Sequence, residues 1–112
     1  MNMKNYYKFR VILVKHPFTD NKNYKIRPAV IINEKQEDSN DFFIVPLTSK
    51  TSNLKKGEFI LTNFSEAGLN IPSAIKRGIY TINSSLIIKK LKCLSEKDRK
   101  MIIQSILSWL QL

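Results

Sequence analysis

Apolar residues in this chain come in short, nearly unbroken runs separated by polar, lysine-rich stretches, and only the end of the chain shows helical spacing. The first run, centred on Val11-Ile12-Leu13-Val14, is rich in β-branched residues and hardly alternates, so it predicts a strand over 9–15 with both faces buried or forming a barrel wall. Pro17 ends it, and the polar residues 19–24 read as an exposed loop. A second strand is predicted over 26–33, with Pro28 tolerable only near its beginning or on an edge, because proline brings no N–H to a ladder. After a polar connection at 34–40, a third strand at 41–47 enters through Phe42-Phe43-Ile44-Val45, and Pro46 bends the chain so that Thr48 and Ser49 lie at its exit.

Polar residues at 51–56 lead to an expected strand over 58–62 and a single helical turn at 65–67, stopped by Gly68 in a left-handed position. Two more strands follow at 73–77 and 79–83, and 86–91 reads as another strand or an extended cover. Ser95 with Asp98 three residues later approximates a capping box, with Asp in place of the usual Glu or Gln. Ile102, Ile103, Ile106, Leu107, Trp109 and Leu110 then recur at helical spacing, giving one apolar face to pack on the sheet. No repeat or linker is visible, so residues 1–112 read as a single domain, mainly β, a small barrel closed by a C-terminal α-helix.

Charge sharpens the functional reading. Nineteen Lys and Arg stand against nine Asp and Glu, a net +10. Such an excess favours a polyanionic partner, nucleic acid above all, over an anionic membrane surface or a merely solvated one. The single cysteine, Cys93, cannot form an internal disulfide, and the single histidine leaves no zinc constellation. A reducing cytoplasm is expected, with no metal and no cofactor. The apolar run after the basic N-terminal residues is too short for a signal peptide, and no run approaches the roughly 18 apolar residues of a membrane span.

Two segments carry the candidate chemistry: Lys25-Ile26-Arg27-Pro28-Ala29-Val30, and Pro46-Leu47-Thr48-Ser49-Lys50 one strand later. Cleaving RNA without a metal requires a base for the 2′-hydroxyl, neutralisation of the phosphorane charge and a proton for the departing 5′-oxygen. The planar guanidinium of Arg27 suits the second task, and the Thr48 hydroxyl adds a donor. Taken singly, an arginine and a threonine at strand ends serve as readily in a surface ion pair and a backbone hydrogen bond. Lys22, Lys25, Lys50, Lys55 and Lys56 fall in the flanking loops and would gather positive charge on one rim, with Ser49 a further RNA-binding candidate among them. Tyr24 and Phe18 could stack on splayed bases or pack into the rim.

These segments, in this order, resemble the MazF/PemK family of toxin ribonucleases. The likeness rests on Val11 to Val14, Pro17-Phe18-Thr19-Asp20, Lys25, Arg27-Pro28-Ala29-Val30 and Pro46-Leu47-Thr48. Further on, Ala67-Gly68-Leu69, Pro72-Ser73, Tyr80-Thr81-Ile82-Asn83 and Lys90-Leu91-Lys92-Cys93-Leu94-Ser95 follow in the family's order. The resemblance implies an SH3-like barrel, shared with the CcdB group, and a symmetric homodimer. It also implies metal-independent, sequence-selective cleavage of single-stranded RNA that inhibits translation, with a cognate antitoxin as partner and DNA contacted through the toxin–antitoxin complex. The family's active-site arginine and threonine fall on Arg27 and Thr48. Phe9-Arg10 stand where the family's first strand opens with Gly-Asp or Gly-Glu, and Asn23 where the lysine loop has a glycine. Ile75-Lys76-Arg77 replace an Arg-x-Asp pair, leaving Arg77 as an RNA-binding candidate and the general base to Asp20, His16 or a water. A non-catalytic nucleic-acid binder or a CcdB-like gyrase inhibitor on the same fold is the alternative.

Overall fold

A computed structural model of the chain describes residues 8–16, 25–34 and 38–112, His16 by its backbone alone. Its elements are β1 (Arg10–His16), β2 (Lys25–Ile31), β3 (Asp41–Thr48), β4 (Ala74–Ile75), β5 (Tyr80–Asn83), β6 (Ile87–Cys93) and α1 (Glu96–Leu110). The strands form one antiparallel sheet in the order β4-β3-β2-β1-β6, with β5 paired to the first half of β3. The mainly β architecture with a closing helix is the one the hydropathy pattern predicts.

The unbroken apolarity of β1 has the expected cause, since it lies inside the sheet and is covered on both faces. Val11 joins Val30, Val45, Leu47, Ile75, Leu94 and the helical Ile102 in one core. Ile12 and Val14 join Ala29, Ile31, Phe42, Ile44 and Ile82 in the other. The two-residue period of a strand sorts neighbouring side chains to opposite faces, which is how Ile44 and Val45 enter different cores. Strand β3 also changes partner along its length, pairing Asp41–Ile44 with β5 and Leu47–Thr48 with β4.

No strand pair joins β4 to β6 among the described residues; irregular chain spans the gap instead. The Leu61 N–H donates to Ser73 O and the Ile75 N–H to Phe59 O, both at 2.9 Å, while the Lys92 N–H donates to Ala67 O at 3.2 Å. The strand expected over 58–62 is accordingly reduced to a single bridge, Ile60 with Ala74. Its continuation is diverted by Asp98, whose carboxylate accepts from the Thr62 N–H and hydroxyl at 3.0 Å and from the Asn63 N–H at 3.3 Å. Once those donors are satisfied by a side chain, the backbone has no ladder to extend. The strand expected over 73–77 shrinks to β4, because beyond Ile75 the Arg77 N–H is taken by the Glu58 side chain rather than by a strand, whereas 86–91 resolves as the strand β6.

The turn before Gly68 forms as expected, with the Gly68 N–H donating to Ser65 O at 3.0 Å and a φ of +88°. Helix α1 begins at the cap Ser95, whose hydroxyl accepts from the Asp98 N–H at 3.3 Å. Only half a capping box is present, because the Asp98 carboxylate is used on Thr62 and Asn63. Ile102 is fully buried and Ile106 and Trp109 pack beside it, but Ile103, Leu107 and Leu110 remain 44%, 43% and 52% exposed. The apolar stripe is thus wider than the sheet beneath it. Burying a side chain such as Ile102 contributes about 1.5–3 kcal/mol, so the inner half of the stripe suffices to seat the helix. No helix among the described residues is long and apolar enough to cross a membrane.

Candidate active site and cationic groove

Pairing between β2 and β3 runs from Ile31 opposite Ile44 to Ala29 opposite Pro46 and ends there. Pro28, the next residue of β2, has no N–H with which to continue a ladder. Arg27 and Thr48 each fall two residues beyond this last pair. The other edge of Arg27 is held by β1, where its partner is the buried Val14. Pro28 therefore lies inside β2 paired with Leu13 of β1, tolerated because the β3 pairing stops just ahead of it, and Arg27 is the third residue of β2.

Thr48 is half-buried, and its hydroxyl oxygen accepts from the Lys50 N–H at 3.1 Å. That bond occupies a lone pair and leaves the O–H to donate. A groove opens beside it, lined by Thr48, Lys50, Ser52, Asn53, Leu54, Lys55, Glu58 and Lys76. Of the residues proposed from sequence for RNA contact, the groove gathers Lys50 and Lys55 around Thr48. Lys25 and Ser49 are exposed nearby in the chain, at the start of β2 and just past the end of β3. Lys56 instead lines a second depression against the helix, with Met101, Gln104 and Ser108. Arg77 enters through its backbone, donating its N–H to Glu58 Oε2 at 2.8 Å. Asp20, Lys22, Tyr24 and Phe18, and the side chain of His16, lie outside the described residues.

Two groove residues escape a sequence reading. Lys76 reaches it because its N–H donates to Pro46 O at 2.9 Å, docking the end of β4 beside the exit of β3. Ser73, Ala74 and Ile75 are all buried, so no alternation marks which way Lys76 faces. Glu58 is the groove's one carboxylate. Its Oε1 accepts from the Lys55 N–H at 2.7 Å, which complements the bond from Arg77. Partial burial alone would push its carboxyl up, but the N–H groups of Arg77 and Lys55 and their positive charges outweigh that and hold it below the ordinary carboxylate value. The lysine loop is also pinned from the other side, where the Trp109 indole N–H donates to Lys56 O at 3.2 Å. Gly57, at a φ of +85°, leaves room for the ring.

Fold and groove together define a class: a small antiparallel β domain with a closing helix, presenting a lysine-lined groove at the exit of a strand. The chain belongs to the family of PemK-like, MazF-like toxins of type II toxin–antitoxin systems, whose model matches residues 7–110. Among solved structures it is similar to the Mycobacterium tuberculosis toxin MazF-mt6, with a TM-score of 0.71 at 18% identity over 92% of this chain and 97% of that one. It is also similar to an endoribonuclease in complex with its cognate antitoxin from a mycobacterial species, with a TM-score of 0.73 at 13% identity over 96% of both chains. At such identities the likeness establishes the fold. No curated protein matches the sequence.

Proposed function

We propose that this toxin is a metal-independent, sequence-selective endoribonuclease that cuts single-stranded RNA, so halting translation, and that a cognate antitoxin restrains it by covering the groove. The observation that carries the reading is the groove that gathers Lys50, Lys55 and Lys76 beside Thr48, with Arg27, like Thr48, two residues beyond the last β2–β3 pair. In that arrangement the lysines draw in the RNA backbone and hold the scissile phosphate near the start of β2 and the exit of β3. Attack of the 2′-oxygen builds negative charge on the phosphorane, which the Arg27 fork neutralises bidentately while the Thr48 O–H donates to a non-bridging oxygen. Asp20, His16 or a water takes the 2′-hydroxyl proton, the P–O5′ bond breaks, and the departing 5′-oxygen takes a proton from water. Membership in a toxin–antitoxin family supports the antitoxin partner, and the exposed apolar half of α1 supports a homodimer in the cytoplasm, with 1–112 as one toxin domain. DNA would be met only through the antitoxin complex.

The test is cleavage of a mixed RNA pool in the presence of EDTA. Wild-type protein should leave 2′,3′-cyclic phosphate and 5′-hydroxyl ends. Losing a transition-state charge stabiliser costs about 10²-fold or more in rate, so Arg27→Ala should lose cutting at least that far and Thr48→Ala less. Each should cost about 1 kcal/mol or less of stability, the worth of a single hydrogen bond. Wild-type protein that binds the pool without cutting it would replace this reading with that of a non-catalytic binder. The gyrase-inhibitor alternative needs Trp109 available to a partner, whereas the indole is half-buried and engaged with Lys56.

A further inference from the structure

A carboxylate facing a groove that draws in RNA phosphates is electrostatically costly, since it repels the ligand the lysines attract. Glu58 nonetheless lines the same groove as Thr48, Lys50, Lys55 and Lys76. The geometry resolves the conflict. Its two oxygens do not compete for one donor but take one each from two separate segments, the Lys55 N–H at 2.7 Å and the Arg77 N–H at 2.8 Å. The first segment carries Lys50 and Lys55; the second carries Lys76, itself docked on Pro46 O. The backbone beside Glu58 already meets β4, with the Ile75 N–H donating to Phe59 O, and the Glu58 side chain adds the link from the lysine loop to Arg77.

We propose that Glu58 is a positioning residue of the groove: it clips the lysine loop to the end of β4, so that Lys50, Lys55 and Lys76 stand around Thr48 as one preorganised phosphate-binding array. The inference rests on the RNA-directed reading above, and it deepens that reading by assigning the array's geometry to an anion. Both oxygens are already accepting N–H bonds, and the carboxyl is held below its ordinary value, so Glu58 is poorly placed to act as the general base. Its contribution is order. Preorganised charges spend less of their binding energy on ordering flexible side chains and loops.

Electrostatics and positioning predict opposite signs, which makes the isosteric substitution Glu58→Gln decisive. Removing a negative charge from a cationic groove would by itself tighten RNA binding. Loss of the clip weakens it, because the amide's nitrogen cannot accept from the second N–H. The measurements are the affinity of wild-type and Glu58→Gln protein for a 2′-O-methyl RNA 12-mer, which binds but lacks the attacking hydroxyl, across a range of salt, and amide hydrogen exchange at Lys55 and Arg77. The expected result is affinity weakened about tenfold, a shallower salt dependence, and faster exchange at those two amides, with the melting temperature of the rest of the fold retained. Unchanged or tighter binding by Glu58→Gln would overturn the proposal, as would exchange at both amides equal to wild type. Because the 12-mer is not cleaved, these readings stand even if wild-type protein proves not to be a nuclease, so the two failures are told apart. A wild-type protein that does not bind the 12-mer at all would overturn the array and the clip together.

Discussion

At the scale of single residues, the two carboxylates Asp98 and Glu58 organise more of the structure than their number suggests. Asp98 is completely buried, and it satisfies three donors on Thr62 and Asn63. Truncation would remove three hydrogen bonds to a charged group, each contributing about 1.5–3 kcal/mol. Asp98→Ala should therefore lower stability by about 3 kcal/mol or more in urea denaturation, far above the cost of a missing helix cap alone, about 1 kcal/mol. For Glu58 the folded carboxyl lies below its ordinary value. A depressed carboxylate contributes stability above its unfolded pKa and loses it as pH falls through the folded one. In an NMR titration its carboxyl carbon should titrate below the ordinary carboxylate range, and the Lys55 and Arg77 amide signals should share its midpoint. Phe9 makes a different point. It has a left-handed φ of +73°, held by bonds from its N–H to Ile31 O and from the Leu94 N–H to its carbonyl. This is the position where the family resemblance calls for glycine, which adopts such a φ without a steric penalty.

Among the elements, the helix matters to the groove through its end rather than its middle. Trp109 lies in its last turn and meets the backbone of the lysine loop at Lys56–Gly57. A Cβ on Gly57 would stand 2.9 Å from Trp109 Cδ1, and the φ of +85° is one that a side chain resists. Replacing the tryptophan removes both packing and the hydrogen bond. Trp109→Phe should cost about 1 kcal/mol, the bond alone, whereas Trp109→Ala should cost about 3 kcal/mol, near the lower bound for truncating a packed indole. Thermal denaturation would show that order. Equal losses in the two variants would mean that the indole N–H, not the ring, secures the helix to the loop.

The whole molecule carries a charge of +10 that the structure distributes unevenly. Lys55 lines the groove with Thr48, while its neighbour Lys56 faces the helix side. A lysine that neutralises a phosphate adds about 0.7 to the slope of log affinity against log salt for single strands. Lys55→Ala should flatten that slope by about this amount, and Lys56→Ala should leave it close to wild type. Fluorescence anisotropy with a labelled single-stranded RNA would read both. Equal effects would place the RNA across both depressions instead of along one.

Local pattern was enough to determine the strands β1 to β3, the turn at Gly68 and the closing helix with Ser95 as its cap. Each of these depends on neighbours in sequence: β-branched runs, a glycine with a left-handed φ, a hydroxyl three residues ahead of an N–H. The same pattern, read with the family resemblance, singled out Arg27 and Thr48, whose roles await the cleavage assay. Tertiary structure alone decided the rest. Residues 58–62 are as apolar and β-branched as a strand, yet a carboxylate 36 positions beyond Thr62 takes the donors that would have extended it. Lys55 and Lys56 are indistinguishable in sequence, and only the turn at Gly57 against Trp109 sends them to different depressions. Which half of the helix stripe is covered depends on the width of the sheet below it, and the convergence of Glu58 on Lys55 and Arg77 depends on the docking of β4 at Pro46. Local sequence sets which conformations a segment favours, whereas hydrogen bonds and contacts between distant segments select among them.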